Sequence, residues 1–206
     1  MSRYTGPRVK KMRALGVDLP GLSRKTMWDR AYPPGDHGPK NARRRKESDF
    51  KKQLLEKQKL RFNYGLTERQ FRRLFVEAKR DKAPTPDKLL EFLERRLDNA
   101  VFRAGFAPTI PAARQLVRHR HFRVNGKRVD IPSYRLKVGD QISLRDKSKE
   151  IALVVESMEK PSLTRPEWLR FDEDTKVATV AELPTAAAVP FPVEMNLVIE
   201  YYSKRL

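Results

Sequence analysis

The stretch from Leu116 to Tyr134 concentrates side chains that could bind another molecule. It carries two histidines among several arginines and lysines, and Asp130 is its single acid. His119 and His121 have the H-x-H spacing of a metal-ligand pair, but the chain has no cysteine and offers no other acid close by. Imidazoles set among so many cations are better suited to phosphate. The pattern therefore predicts a polyanion contact, with no metal and no cofactor.

A second chemical motif is the R-L-D triplet from Arg96 to Asp98. It resembles the catalytic aspartate motif of pseudouridine synthases, which often carry a small RNA-binding module. In those enzymes a large catalytic domain follows the module, whereas here the triplet precedes the basic stretch and lies on a leucine-rich segment. We therefore interpret Asp98 as a helical residue beside Arg95 or Arg96. The chain has no phosphate-binding glycine loop, nucleophile elbow or zinc-protease signature, so we expect no enzyme activity.

The charge balance indicates the same kind of partner. The 206 residues include 45 Lys and Arg against 26 Asp and Glu, a net charge of +19, which predicts binding to a polyanion. Residues 1–61 carry a net charge of +12 and 99–140 carry +7, whereas 62–98 carry +2 and 141–206 carry −2. No apolar run approaches the roughly 20 residues of a membrane span, and no signal-peptide core is present. We expect a soluble, cytoplasmic protein with no membrane partner.

The elements that position the first basic region are an arm and a set of helices. Residues 1–46 are rich in turn formers and lack helical periodicity, which predicts an extended arm that becomes ordered only against a partner. Ser48 can cap a helix that runs to about Arg61. Thr67 and Gln70 form a capping box for the next helix.

Apolar spacing predicts the buried faces of the helices that follow. After the capping box, Phe71, Leu74, Phe75 and Ala78 have the i, i+3, i+4, i+7 spacing of one buried stripe. After a cap at Thr85, a long apolar helical face is expected from Leu89 through Val101, up to Gly105.

The basic stretch itself is predicted to be a helix followed by a hairpin. Thr109 can cap a short helix that points Arg114, Gln115 and Arg118 outward. Asn125-Gly126, between alternating apolar residues, is the strongest short hairpin signal. Further strands are expected around 141–144, 168–171 and 176–183, with a helix over 149–160, while 196–203 fits a strand or a helix.

Six motifs together resemble those of the bacterial small-subunit ribosomal protein S-four family. They span the chain in the family's order, which makes the resemblance far more specific than any single motif. The motifs are RYTGP at 3–7, YPPGDHG at 32–38, LLEKQKLRFNYGLTERQFRRLF at 54–75, LERRLDNAVFRAGF at 93–106, ARQLVRHRHFRVNGKRVDIPSYRLKVGD at 113–140 and LVIEYYS at 197–203.

The resemblance implies an α+β protein with an extended basic arm over 1–46. It implies a helical domain over 47–98 that is closed by 190–206, and an inserted RNA-binding domain over 99–189, in which two helices pack on an antiparallel β-sheet. Some members carry zinc-binding cysteines in the arm. This chain has Val9 and Met12 where the first pair would be, so zinc is not expected there.

The resemblance also implies a structural, non-catalytic function. Members bind the 5′ domain of 16S rRNA early in assembly of the small subunit. They line the channel through which mRNA enters, beside small-subunit proteins three and five, and influence translational accuracy. The alternative is an RNA-modifying or ribosome-rescue protein that uses the same RNA-binding module.

Candidate RNA-binding residues are the basic, aromatic and turn positions of these motifs. In the arm they are Arg3, Tyr4, Tyr32, Gly35, His37, Arg43, Arg44, Arg45 and Lys46, the last four with mRNA as their expected partner. In the helical domain they are Lys57, Lys59, Arg61, Arg69, Arg72 and Arg73. In the inserted domain they are Arg114, Gln115, Arg118, His119, His121, Asn125, Lys127, Arg128 and Tyr134.

Overall fold

The computed structural model describes residues 4–38, 48–203 and 205. The helices are α1 (Arg8–Leu15), α2 (Asp49–Asn63), α3 (Glu68–Lys79), α4 (Thr85–Glu94), α5 (Leu97–Arg103), α6 (Ile110–Arg118), α7 (Ala152–Glu159) and α8 (Met195–Ser203). The strands are β1 (Phe122–Val124), β2 (Lys127–Arg128), β3 (Gln141–Leu144), β4 (Leu169–Asp172) and β5 (Val177–Val180). Helices with an antiparallel sheet confirm the predicted α+β class.

The chain forms two compact units. Unit 1 comprises residues 1–89 with 191–206, and unit 2 comprises the continuous segment 90–190. The domain boundaries that the sequence suggested, after residues 46, 98 and 189, stay a prediction. No helix in the described part of the chain is long and apolar enough to cross a membrane.

Local signals in the sequence account for the helices of unit 1. Ser48 Oγ accepts the Lys51 N–H at 3.3 Å, so α2 begins at the predicted cap. Thr67 and Gln70 form both hydrogen bonds of the capping box that begins α3. The predicted stripe of α3 is buried, and two of its rings pack on Tyr202 of α8, with ring centroids at 5.8 Å for Phe71 and 4.8 Å for Phe75. The segment 196–203, which fitted either structure, is therefore helical.

Within residues 4–38, the prediction of an extended arm is wrong for the segment that forms a helix. Residues 8–15 form α1, and the loop after it is held against α2, where the Gly21 N–H donates to Asn63 Oδ1 at 2.9 Å. Met12 is the only buried residue of α1, so this helix has no apolar stripe that sequence periodicity could detect. The four basic residues at 43–46 lie outside the described residues.

Unit 2 is built around a five-stranded antiparallel sheet of order β2-β1-β3-β5-β4. One face is apolar because alternate residues point to the same side, and the buried ones are Phe122, Val124, Ile142, Leu144, Leu169, Ala178 and Val180. Phe106 packs on this face, with ring centroids 5.5 Å from Phe122 and 5.6 Å from Phe171. Helix α6 begins at the predicted Thr109 cap, whose side chain accepts the Ala112 N–H at 3.3 Å.

The long apolar helix predicted from Leu89 to Val101 is interrupted. Arg96 is extended (φ −67°, ψ 138°) and separates α4 from α5. Backbone groups that would have continued the helix bond instead to a distant segment. The Leu97 N–H donates to the Tyr134 carbonyl at 2.9 Å, and the Leu136 N–H donates to the Arg95 carbonyl at 2.9 Å. The predicted leucine and valine positions are nevertheless buried.

Candidate nucleic-acid interface

The end of α6 and the β1–β2 hairpin form a cationic surface in unit 2. Arg118 and His119 are exposed at the helix end, and Lys127 and Arg128 are exposed on the hairpin. The hairpin returns to the helix end through the Val129 N–H, which donates to the Phe122 carbonyl at 3.4 Å. The structure therefore brings together predicted residues from two elements. We call this region the hairpin surface; it comprises residues 118–128.

The strand register places two arginines directly opposite each other in the hairpin surface. Arg123 of β1 pairs with Arg128 of β2, and their side chains point to the same side. Like charges in this position are destabilising unless an anion lies between them. Arg123 was not among the predicted binding residues, although its place between buried Phe122 and Val124 gives it an outward direction. Besides a hydrogen bond from a neighbouring lysine, the charge of Arg123 helps to lower the pKa of Asp146, so the protein offsets part of the repulsion between the two arginines, and a polyanion would offset the rest.

Arg120 lies at a backbone position that normally belongs to glycine. Its φ is +63°, in the left-handed region, and it directly follows His119, the C-cap of α6. The His121 N–H donates to the Leu116 carbonyl at 3.2 Å, and the Arg120 N–H donates to the Val117 carbonyl at 2.9 Å. These are the two bonds of a Schellman motif, so the helix ends here with an arginine projecting from a strained backbone.

Two predicted binding residues of this region, Asn125 and His121, form side-chain hydrogen bonds to other residues of unit 2. The Asn125 amide donates to Asp140 Oδ1 at 2.8 Å, and its oxygen accepts the Gln141 N–H at 2.9 Å. His121 Nδ1 lies 2.9 Å from Ser148 Oγ. Burial lowers the pKa of His121, and the charges of His119 and Arg145 lower it further. Both side chains therefore help to hold the hairpin surface in its conformation.

Arg114 was predicted to point outward, but it turns toward a buried ion pair. Asp98 is fully buried and receives two bonds from Arg96, from Nε at 3.0 Å and from Nη2 at 2.7 Å. Arg114 Nη1 lies 3.6 Å from the same carboxylate, and its side chain is 15% exposed. The prediction that Asp98 pairs with a neighbouring arginine is confirmed. A carboxylate so enclosed cannot reach a substrate, which argues against the pseudouridine synthase motif. Gln115 and Tyr134, by contrast, are exposed.

Helix α3 provides the cationic surface of unit 1. Arg69, Arg72 and Arg73 are exposed, and with Arg80 they line one shallow groove along the helix. None of the four guanidinium groups has a hydrogen bond, ion pair or ring contact within the part of the chain that the structure describes. Four guanidinium groups on one face are suited to a row of phosphates. We call this region the α3 arginine face; Arg80 is its member that the sequence did not single out.

The predicted cations of α2 are engaged within unit 1. Lys57 is buried, and its ammonium lies 2.8 Å from Glu68 Oε2. Burial acts to raise the pKa of Glu68, but hydrogen bonds from Lys57 and Tyr202 and the charges of Lys57 and Arg61 outweigh it and leave this pKa below its usual value. Lys59 pairs with a glutamate one turn earlier, and Arg61 lies 3.7 Å from Glu68. These residues stabilise the helices that carry the α3 arginine face.

The predicted binding residues of the arm differ in their exposure and in their contacts. Tyr4 packs edge-on against Phe62 of α2 at 5.6 Å between ring centroids. Tyr32 is 41% exposed, and the guanidinium of Arg13 lies 4.7 Å from the centroid of its ring. Gly35 has φ +72°, as the turn at this position requires. Arg3, the side chain of His37 and the cluster at 43–46 lie outside the described residues.

A metal site has no support in the described ranges. No group of three His, Asp or Glu side chains is placed there to hold an ion. His119 and His121 have ring centroids 6.2 Å apart, and Ser148 occupies one nitrogen of the second. His121 is therefore held within the fold by Ser148, whereas His119 is exposed.

The two units with their cationic surfaces define an α+β protein of the class that binds polyanions. Residues 3–94 match the family described as Ribosomal protein S4/S9 N-terminal domain, and residues 95–142 match the S4 domain. The first match covers most of unit 1, and the second includes α5, α6 and the hairpin surface.

Full-length relatives agree with both matches. The chain is 63% identical over 206 residues to the small ribosomal subunit protein uS4 of Methylobacillus flagellatus, with both chains covered completely. It is 59% identical to uS4B of Nitrosomonas europaea and 50% identical to uS4 of a Synechococcus strain, again over all of each chain. The chain therefore belongs to the uS4 family of small ribosomal subunit proteins.

Proposed function

We propose that this protein is a structural, rRNA-binding component of the small ribosomal subunit and carries out no catalysis. The relatives that share its whole length are named as proteins of that subunit. The single observation that carries the binding role is the placement of Arg123 opposite Arg128, because a hairpin gains little from two facing guanidinium groups unless a polyanion lies between them. The ribosome, and hence the cytoplasm, is the proposed location.

The proposed partner is the 5′ domain of 16S rRNA, bound early in assembly. The α3 arginine face and the hairpin surface would follow phosphate backbones, and shape would supply the specificity, since folded RNA is recognised through its grooves, 2′-hydroxyls and unpaired bases. Nine exposed side chains of the predicted set are the proposed direct contacts: Arg69, Arg72, Arg73, Gln115, Arg118, His119, Lys127, Arg128 and Tyr134. Lys57, Asn125 and His121 hold the surfaces in place.

Further roles follow from the family resemblance. These are lining the channel through which mRNA enters, contact with small-subunit proteins three and five, and an influence on translational accuracy. Arg43, Arg44, Arg45 and Lys46 are the proposed contacts for mRNA.

The test is a salt titration of binding to the isolated 5′ domain of 16S rRNA, beside an unrelated folded RNA of equal length. We expect both affinities to fall as salt rises, because counterion release contributes to each, and we expect the preference for the rRNA to persist. Equal affinities that fall together would overturn the proposal, since they would leave a polycation without shape recognition.

A further inference from the structure

A hydrogen-bonded turn at residues 27–30 of unit 1 carries an exposed tryptophan, Trp28. The Met27 N–H donates to Asp18 Oδ1 at 2.8 Å, and the Met27 side chain is 6% exposed. The Arg30 N–H donates to the Met27 carbonyl at 3.0 Å and closes a single 3-10 turn over 28–30. The turn is fixed by its buried methionine and by Asp18. Trp28, the next residue, is consequently directed outward.

Trp28 is 69% exposed, more than any other large apolar side chain among the described residues. No ring, cation or hydrogen-bond partner holds it within the same described ranges. The chain's other tryptophan, Trp168, is 3% exposed in unit 2. An exposed tryptophan contributes none of the stabilisation that burial of so large a ring provides, and this free energy is available to a partner that covers it.

The surroundings of Trp28 indicate the chemistry of that partner. Exposed Arg24, Lys25 and Arg30 flank the turn, against one exposed acid, Asp29. Basic residues interleaved with an exposed aromatic ring are suited to single-stranded nucleic acid, in which cations contact phosphates and the ring stacks on a base. A neighbouring protein surface that is apolar or basic would gain nothing from these cations.

We propose that Trp28 is a base-stacking site for an unpaired nucleotide of the rRNA. This inference rests on the proposed function and adds to it a specific, non-electrostatic contact. Tyr32 is less suited to the role, because the guanidinium of Arg13 already covers one face of its ring and the Arg13 Nε–H donates to the Tyr32 carbonyl at 3.0 Å. Trp28 has no such cation on its ring within the described residues and is 69% exposed, so its ring is available to a base.

Two substitutions in the full-length protein separate stacking from apolar contact. Trp28→Leu keeps an apolar side chain but removes the ring, and Trp28→Phe keeps a smaller ring. With the 5′-domain rRNA we expect Trp28→Leu to lose about tenfold in affinity, in line with the typical value of one stacked base, and Trp28→Phe to lose clearly less. The slope of log affinity against log salt should not change, because no cation is removed.

Fluorescence gives a second measurement that does not depend on affinity. The difference between the spectra of the wild-type protein and Trp28→Phe isolates the emission of Trp28, since Trp168 is common to both. If Trp28 stacks on a base, saturating rRNA should quench the emission of Trp28 and protect it from quenching by acrylamide. Circular dichroism of both variants checks that they fold.

Three outcomes would overturn the stacking site. One is equal affinity of Trp28→Leu and wild type with no quenching; another is equal losses in Trp28→Leu and Trp28→Phe. The third is normal RNA binding by Trp28→Leu with poor incorporation into small subunits, which would assign the ring to a protein partner. A failure of the proposed function is distinct, because it would show as equal wild-type affinity for the rRNA and the unrelated RNA, whether or not Trp28 is quenched.

Discussion

The two units present their arginines to solvent in different ways. In unit 1 the α3 arginine face lies on a regular, capped helix, and each guanidinium leaves the backbone unstrained. In unit 2 the hairpin surface includes Arg120 in a left-handed conformation and Arg123 opposite Arg128. Unit 2 therefore exposes its charges at a cost in local stability, whereas unit 1 does not. Such conflicts are a mark of functional sites when the surrounding fold compensates for them.

The two units also differ in how deeply their ion pairs are buried. In unit 2 the Arg96 and Asp98 side chains are 5% and 0% exposed, whereas in unit 1 the Lys57 and Glu68 side chains are 4% and 44% exposed. Removing one member of a fully buried pair leaves an uncompensated charge, and this costs far more than breaking a pair that water can reach.

The largest expected effect is therefore on the stability of unit 2. Asp98→Ala should lower its free energy of unfolding by about 3–5 kcal/mol, because Arg96 would remain buried without its carboxylate. Urea unfolding followed by the emission of buried Trp168 measures this change. Asp130→Ala is the control: it removes an exposed partner of Arg120 and should cost less than about 1 kcal/mol. Similar losses of unfolding free energy in both variants would contradict the expected difference between a buried and an exposed ion pair.

Next in size is the effect of removing three cations from each surface. The two triple variants are Arg69→Ala/Arg72→Ala/Arg73→Ala and Arg118→Ala/Lys127→Ala/Arg128→Ala. In each, we expect the slope of log affinity for rRNA against log salt concentration to become shallower by about 2–3, because each lost phosphate contact lowers the slope by about one. The control with the same charge loss is Lys147→Ala/Lys149→Ala/Lys160→Ala, in the acid-rich part of unit 2. If this control behaves like the two surface variants, net charge alone explains binding.

A single residue tests the conflict between charge and stability. Arg120→Gly should raise the free energy of unfolding by about 1 kcal/mol, because glycine adopts positive φ without strain, and it should also weaken rRNA binding. Arg120→Ala loses the same charge but keeps most of the strain, so it should weaken binding without the gain in stability. Thermal unfolding and filter binding on the same preparations measure both. Unchanged stability in Arg120→Gly would show that the left-handed position carries no strain.

The smallest effect is a pH dependence in unit 1. The pKa of Glu68 is below its usual value in the folded protein, so its contribution to stability is present above the unfolded pKa, near 4.5, and is lost as pH falls through the folded pKa. Because this carboxylate is 44% exposed, we expect less than about 1 kcal/mol. The difference in unfolding free energy between wild type and Glu68→Gln, measured from pH 7 to 3, should shrink across that window. A difference in unfolding free energy that stays constant with pH would contradict the stabilising role of ionised Glu68.

Sequence patterns predicted the features that depend on near neighbours. The caps at Ser48, Thr67 and Thr109 and the Asn125-Gly126 turn each involve a few consecutive residues, and the structure confirms them. The interruption at Arg96 escaped prediction because its hydrogen-bond partners lie some 40 residues away, at Tyr134 and Leu136.

The candidate site was predictable as a region but less so residue by residue. Charge in a sequence does not reveal whether a cation faces water or an acid in another element. Lys57 and Arg114 turned inward for this reason, while Arg123 gained its significance only from the register with Arg128. Helix α1 escaped because one buried methionine leaves no periodic signal.

The division of the chain between the units also sets an order for folding during synthesis. Unit 2 is one continuous segment, so all of its contacts are available once residue 190 has left the ribosome. Unit 1 must wait longer, because α8 is translated after the whole of unit 2 and supplies Tyr202, on which Phe71 and Phe75 of α3 pack. For part of its synthesis, the nascent chain therefore has a finished hairpin surface while the helices of unit 1 still expose apolar side chains. At that stage unit 1 is the part most in need of a chaperone.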